Sequence, residues 1–189
     1  MHDSKLDPGY AIAYECEPTP GRHTVSSYQN ASLYGVKQMF PAAKNMIKNA
    51  KGKTAKNVKL HTAGSFYMQL LNGTGMCYFG ALTSRIPLVE YLNAATGWDL
   101  SADEYFKTGE RLLNLRKAFN VREGIKPADH KLHERATGKT PLPKGPLKGV
   151  TLDMDLLRKE FYDTVEWSPE TGGPTQEKLK DLEIDSLFS

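Results

Sequence analysis

The chain has 189 residues, of which 39% are hydrophobic, 25% charged and 10% aromatic, with a net charge of +3. That length suits one compact domain, or a domain and a half, that folds without disulfides, and the aromatic content argues against wholesale disorder. No apolar run is long enough for a membrane span and no basic-then-apolar signal peptide opens the chain, so a cytoplasmic location with no membrane partner is expected.

Residues 1–31 read as an opening segment, turn-rich through Pro20, with Asp7-Pro8-Gly9 as turn chemistry and a short apolar stretch at Tyr10–Tyr14. Residues 32–189 read as a helical domain. Ser32 to Ala50 shows rough helical periodicity, which Pro41 should kink or split. Lys51 to Lys59 reads as a connection. A short helix over Ser65 to Leu71 is expected to run into the loop Asn72-Gly73-Thr74-Gly75-Met76-Cys77. Pro87 suits a first helical position, Leu88, Val89 and Leu92 give an apolar face, and Gly97 a stop. Ser101 with Glu104 forms a capping box. The helix it opens should reach about Val121, with Tyr105, Leu112, Leu115 and Phe119 on its buried side and Gly109 permitting close packing. Residues 125–150, with Pro127, Pro141, Pro143, Pro146, Gly138, Gly145 and Gly149, form a long irregular excursion. Asp153 caps a helix through Trp167, and Thr175 a last short one. With no internal repeat and little period-2 alternation, the fold class is all-α and multi-helical.

Charge is unevenly spread. From Pro18 to Val89 there is no Asp or Glu, while Arg22, Arg85 and seven lysines fall there. The first half therefore faces something anionic: a phosphorylated cofactor, an acidic protein or, least favoured for want of any binding motif, nucleic acid. Lys44, Lys48 and Lys51 recur at helical spacing and read as a solvated face or as a steering surface for an acidic partner.

The two cysteines, Cys16 and Cys77, are too few for a disulfide scaffold or a self-contained iron–sulfur cluster. Cys16 reads as a packed thiol. Cys77 closes a loop in which glycines at 73 and 75 would let backbone amides turn toward an anion or a cluster; an inert buried thiol is the alternative. His130 and His133 have a spacing that suits a metal, yet no second pair of ligands accompanies them. Arg122 and Glu123 read as an ion pair at a helix end.

Residues 72–77 resemble the Asp-x-x-Gly-Leu-Cys motif of the tungsten-containing aldehyde ferredoxin oxidoreductase family, with Asn72 in place of the acid and Met76 in place of leucine. Further stretches fit in order. Gly9-Tyr10-Ala11-Ile12-Ala13-Tyr14 followed by Pro20-Gly21-Arg22-His23 is similar to the segment that brings a histidine beside the metal. The run from Asn114 to Gly124 is similar to the family's Asn-Leu-x-x-x-Phe-Asn-x-Arg-Glu-Gly, and Pro141-Leu142-Pro143-Lys144-Gly145-Pro146 to its Pro-Leu-Pro-x-Gly-Pro loop.

The resemblance implies the all-α carboxy-terminal domain of an oxidoreductase that turns an aldehyde and water into a carboxylic acid. Its electrons would leave through a 4Fe–4S cluster to ferredoxin, from a tungsten held by two pterin dithiolenes. On that reading Cys77 ligates the cluster, Asn72, Gly75 and Met76 contact the pterin, and His23 in the opening segment exchanges protons. Arg22 would pair with a phosphate or a substrate carboxylate. The cluster's other three cysteines and the amino-terminal and middle domains are partners this chain requires, so alone it is expected to be inactive and free of cofactor. The contrasting expectation is a free-standing, non-catalytic helical subunit or binding module derived from the same family, which the loss of the acid at Asn72 favours.

Overall fold

The computed structural model describes residues 2–188, and these form eleven α-helices and two short 3-10 helices. Among the described residues there is no strand, only an isolated antiparallel bridge between Trp167 and Pro174. No helix among them is long and apolar enough to cross a membrane.

The chain opens with α1 (Gly9–Glu15), α2 (Asn30–Leu33), α3 (Val36–Met39) and α4 (Pro41–Lys48). Pro41 does split the periodic stretch. It occupies the first position of α4, and its ring pushes the preceding residue out of the helical region, so that Phe40 is extended with φ −124°. The side chain thereby turned inward is fully buried between Tyr67 and Phe106, at ring-centroid distances of 6.0 and 5.3 Å. Burial of a ring that size is worth about 1.5–3 kcal/mol.

The axis of the domain is α5 (Lys53–Thr74), which touches α1 through α4 and two later helices. The short helix expected over Ser65 to Leu71 is therefore only its middle. Residues 61–71 are buried on every side, which erases the one-faced periodicity that marks a surface helix. The lysine-bearing stretch read as a connection is the solvated first turns of the same helix, with Lys53 and Lys56 exposed. At its end Asn72, Gly73 and Thr74 are helical, so half of the expected loop is the last turn of α5.

Next come α6 (Tyr78–Ala81), α7 (Leu88–Thr96) and α8 (Ala102–Arg122). Ser101 and Glu104 form the capping box in both directions: the serine hydroxyl accepts from the Glu104 amide at 3.3 Å, and the carboxylate from the Ser101 amide at 2.7 Å. Such a cap is worth about 1 kcal/mol. The buried face of α8 differs from the expected one. Tyr105, Phe106, Gly109, Leu113, Asn114, Lys117 and Ala118 point inward, whereas Leu112 and Leu115 are half-buried and Phe119 is exposed. The reason is that two polar side chains, Asn114 and Lys117, take inward positions because buried partners await them. Trp167 donates its indole N–H to Asn114 at 2.8 Å, and Lys117 reaches a backbone carbonyl. Close packing at Gly109 is present: a Cβ there would lie 2.2 Å from the Phe66 carbonyl oxygen, so α5 and α8 meet backbone to backbone.

The excursion holds a 3-10 turn at Pro127–His130 and α9 (Glu134–Thr137), and is tied down at its neck. Leu152 donates to the Thr137 carbonyl at 2.8 Å and Thr151 to that of Gly138 at 3.0 Å, while Ser4 and Lys5 reach across to the carbonyls of Ala136 and Arg135. Pro141 through Pro146 stay at the surface. The caps expected at Asp153 and Thr175 open α10 (Met154–Val165) and α11 (Gln176–Asp181). The inner face of α10, with Leu157, Phe161 and Val165, closes the core over α5.

Candidate functional site

The α5–α6 junction presents the candidate cofactor residues. Asn72 is exposed on the last turn of α5, and its carbonyl accepts from the Gly75 amide at 3.2 Å. Gly75 ends the helix in the left-handed region, φ +73°, and a Cβ there would meet nothing within 4 Å. Glycine is thus set by the turn, and the space in front of it is open. Thr74 folds its hydroxyl back onto the Leu71 carbonyl at 2.7 Å. The half-buried Met76 packs against the core and anchors the far side of the turn.

Cys77 follows in extended backbone, φ −69° and ψ 126°, at the start of α6, with its side chain exposed. The inert-core reading applies instead to Cys16, which is 1% exposed and whose thiol burial pushes up to about 12. No group of three or more His, Cys, Asp or Glu that could hold a metal occurs among the described residues. Cys77 is thus an exposed thiol that belongs to no such group among the described residues.

His23 lies on the strap between α1 and α2. The strap's base is stapled by Asp7, whose carboxylate accepts from the amides of Gly9 at 2.9 Å, Tyr28 at 3.1 Å and Gln29 at 3.4 Å. Gly9 is required here, since a Cβ would come within 2.6 Å of the Tyr28 nitrogen. His23 is exposed and meets the His2 ring edge-on at 5.2 Å; His2 stacks on Tyr10 at 4.8 Å. Burial raises the Tyr10 phenol above its ordinary value, with Asp7 and Tyr78 adding to the effect. Tyr34 donates to the Tyr78 hydroxyl at 3.3 Å. His23, His2 and Tyr10 thus form one aromatic group and Tyr34 and Tyr78 another, and the side chains of His23 and Cys77 are both exposed.

Several residues went unnoticed in the sequence. Glu17 and His61 form a fully buried pair at 3.1 Å, and the other carboxylate oxygen and ring nitrogen have no hydrogen-bond partner among the described residues. Arg116, Lys117 and Asn120 hold the strap from α8. The missing signal is positional, because partners a hundred residues apart leave no local spacing. His133 caps α9 by accepting from the Arg135 amide at 3.2 Å, and Arg122 pairs with Glu123 at 3.0 Å, as read. Arg22 donates to the Thr24 hydroxyl at 2.7 Å. Of the three lysines expected on one face, Lys44 and Lys48 share α4 but Lys51 lies past its end. The two line a groove of about 760 Å³ with Lys37 and Lys56, over a floor of Pro41 and Ile47.

Comparison with known proteins accounts for nearly the whole chain. Residues 1–184 match the family model for aldehyde ferredoxin oxidoreductase, domains 2 and 3. The chain is 32% identical over 120 residues to the tungsten-containing aldehyde ferredoxin oxidoreductase of Pyrococcus horikoshii, covering 63% of this chain and 20% of that protein. It is 33% identical over 122 residues to that of Pyrococcus furiosus, with the same coverage, and 33% identical over 118 residues to that of Thermococcus kodakarensis, with 61% and 19% covered. The matched part spans about a fifth of the length of these relatives. The chain belongs to the aldehyde ferredoxin oxidoreductase family and corresponds to its all-α carboxy-terminal portion.

Proposed function

We propose that this chain is the carboxy-terminal part of a tungstopterin aldehyde:ferredoxin oxidoreductase, giving the cluster one thiolate, the pterin a polar turn and the reaction one proton-exchanging side chain. The observation that carries the reading is the exposed thiol of Cys77 beside an unobstructed glycine turn. A donor that must reach a group outside its own chain cannot be buried, and Cys77 is the accessible one of the two thiols. The residues fit the group: a soft sulfur donor for iron, the Asn72 amide as donor and acceptor for a pterin edge, and no side chain at 75 to block approach. When bound, the tungsten–pterin group and the 4Fe–4S cluster would supply the redox chemistry.

This chain's own work is then positional and protonic. Cys77 would hold the cluster through one thiolate. Gly75 gives the left-handed turn that sets Cys77 out from α5, and Met76 fixes that turn to the core. His23 exchanges a proton with substrate or water, since an imidazole ring can both donate and accept one. The groove of Lys37, Lys44, Lys48 and Lys56 carries positive charge with no ion pair among the described residues, which suits the encounter with an acidic ferredoxin. The remaining cluster ligands and the rest of the pterin site come from the other domains, so the isolated chain is inactive.

The test is Cys77→Ser in the complete enzyme. Iron content and the brown cluster absorbance should fall together while tungsten is retained; a full iron complement in that variant refutes the assignment. A second reading, a non-catalytic subunit, is favoured by Asn72, where the family motif has an acid. Restoring the acid with Asn72→Asp separates the two: a catalyst changes in turnover, whereas a binding module shows none in either form.

A further inference from the structure

His23 is exposed, and its ring contact is with another exposed histidine, so side-chain packing does not set its position. Its placement has to come through the backbone that carries it. The backbone leading to it, from Cys16 to Thr19, contains Pro18 and makes no helix, yet it is held at successive points by α8. Lys117 donates its ammonium to the Cys16 carbonyl at 2.8 Å, Asn120 its amide to the Pro18 carbonyl at 2.8 Å, and Arg116 its guanidinium to the Thr19 hydroxyl at 2.5 Å. Asn120 is the i+4 neighbour of Arg116 and the i+3 neighbour of Lys117, so the three span one side of the helix and reach the strap together.

Glu17, on the same segment, enters the core and meets His61 on α5 at 3.1 Å. The strap is therefore braced between the two longest helices, and Pro18 and Pro20 limit its freedom between the braces. Lys117 is only 5% exposed, lies 5.2 Å above the Trp167 ring and makes no ion pair among the described residues. Burying an ammonium is costly. A charged donor on a carbonyl is stronger than a neutral one, which gives the arrangement a physical use where backbone geometry must be fixed.

We infer that Arg116, Lys117 and Asn120 are positioning residues for His23, clamping the strap so that the imidazole is presented at one fixed place. This rests on the reading of His23 as the proton-exchanging group, and the experiment separates the two. In the complete enzyme, Lys117→Met removes the donor but keeps the stem over Trp167, Asn120→Ala removes the second donor, and Lys117→Arg keeps one. Each loss should lower kcat about tenfold, and both together about a hundredfold, with KM within about twofold, because misplacement by about 1 Å costs that much. The second readout needs no turnover: carbon-bound ring hydrogen exchange at each histidine, followed by mass spectrometry. His23 exchange should change at least about twofold, His130 and His133 should not, and Lys117→Arg should restore both readouts.

Unchanged His23 exchange in the folded variants overturns the inference, whatever kcat does. Altered exchange with His23→Gln retaining full kcat supports the clamp and overturns the catalytic reading instead. Should the double variant fail to fold, Asn120→Ala alone, at a half-buried position, gives the same decision.

Discussion

Gly109→Ala tests the close crossing of α5 and α8 on which both halves of the site depend. An alanine Cβ would lie 2.2 Å from the Phe66 carbonyl oxygen and 2.8 Å from its carbon. Ordinary contact begins near 3.4 Å, so the helices must part by about 1.2 Å there (3.4 − 2.2). Overpacking costs about 1–3 kcal/mol, and the obstacle is backbone rather than a flexible side chain, which favours the upper part of that range. Alanine returns about 1 kcal/mol of helix propensity. The net loss is about 1–2 kcal/mol, or a fall in Tm of about 2–8 °C for a chain this long. Gly73→Ala is the control. It is also helical, but its Cβ would meet only the Leu112 methyl at 3.3 Å, so it should be neutral or stabilising by up to about 1 kcal/mol. Denaturant unfolding followed by circular dichroism measures both. A Gly109→Ala protein as stable as the parent, or a Gly73→Ala protein equally weakened, would refute the argument.

The Cys16 thiol ionises near its ordinary value of 9.0 when unfolded but only at about 12 when folded, because burial opposes the charge. Above pH 9 the unfolded state therefore binds fewer protons, and stability falls by about 1.4 kcal/mol per pH unit from this group alone. Cys16→Ala should flatten the pH dependence between 9 and 12 by that amount; equal slopes would count against it. Alkylation should label Cys77 in the folded chain and Cys16 only after unfolding, and early labelling of Cys16 would contradict its 1% exposure. Glu17→Leu leaves the buried His61 ring without its hydrogen-bond partner and should cost about 1–3 kcal/mol, with Glu17→Gln recovering most of it, as read by the same unfolding assay. Changing Lys37, Lys44, Lys48 and Lys56 to glutamine should slow ferredoxin reduction by whole enzyme about tenfold at low salt and little at high salt. An unchanged low-salt rate removes the groove from the encounter.

Several features legible over a few residues were read correctly. The Ser101 capping box, the Asp153 and Thr175 caps, the break at Pro41, the stop at Gly97 and the crowding at Gly109 each depend on residues within a few positions or on a side chain's absence. Cys16 as a packed thiol and the Arg122–Glu123 pair belong with them. Family membership also lay in the sequence, because short ordered motifs survive without any knowledge of contacts.

Tertiary packing decided the rest. The length of α5 was hidden because a helix wrapped by six others has no polar stripe to supply a period, while its lysine-bearing start looked like a linker. The inward face of α8 was misjudged because Lys117 and Asn114 are buried by partners at Cys16 and Trp167, far away in the chain. The exposure of Cys77 and of His23, the stacking of His2 on Tyr10 and the hydrogen bonds from α8 to the strap are likewise products of chain segments brought together by folding. Sequence fixes what each residue can do over one helical turn; only the fold fixes which distant groups share a desolvated space, and burial is what makes those encounters energetically decisive.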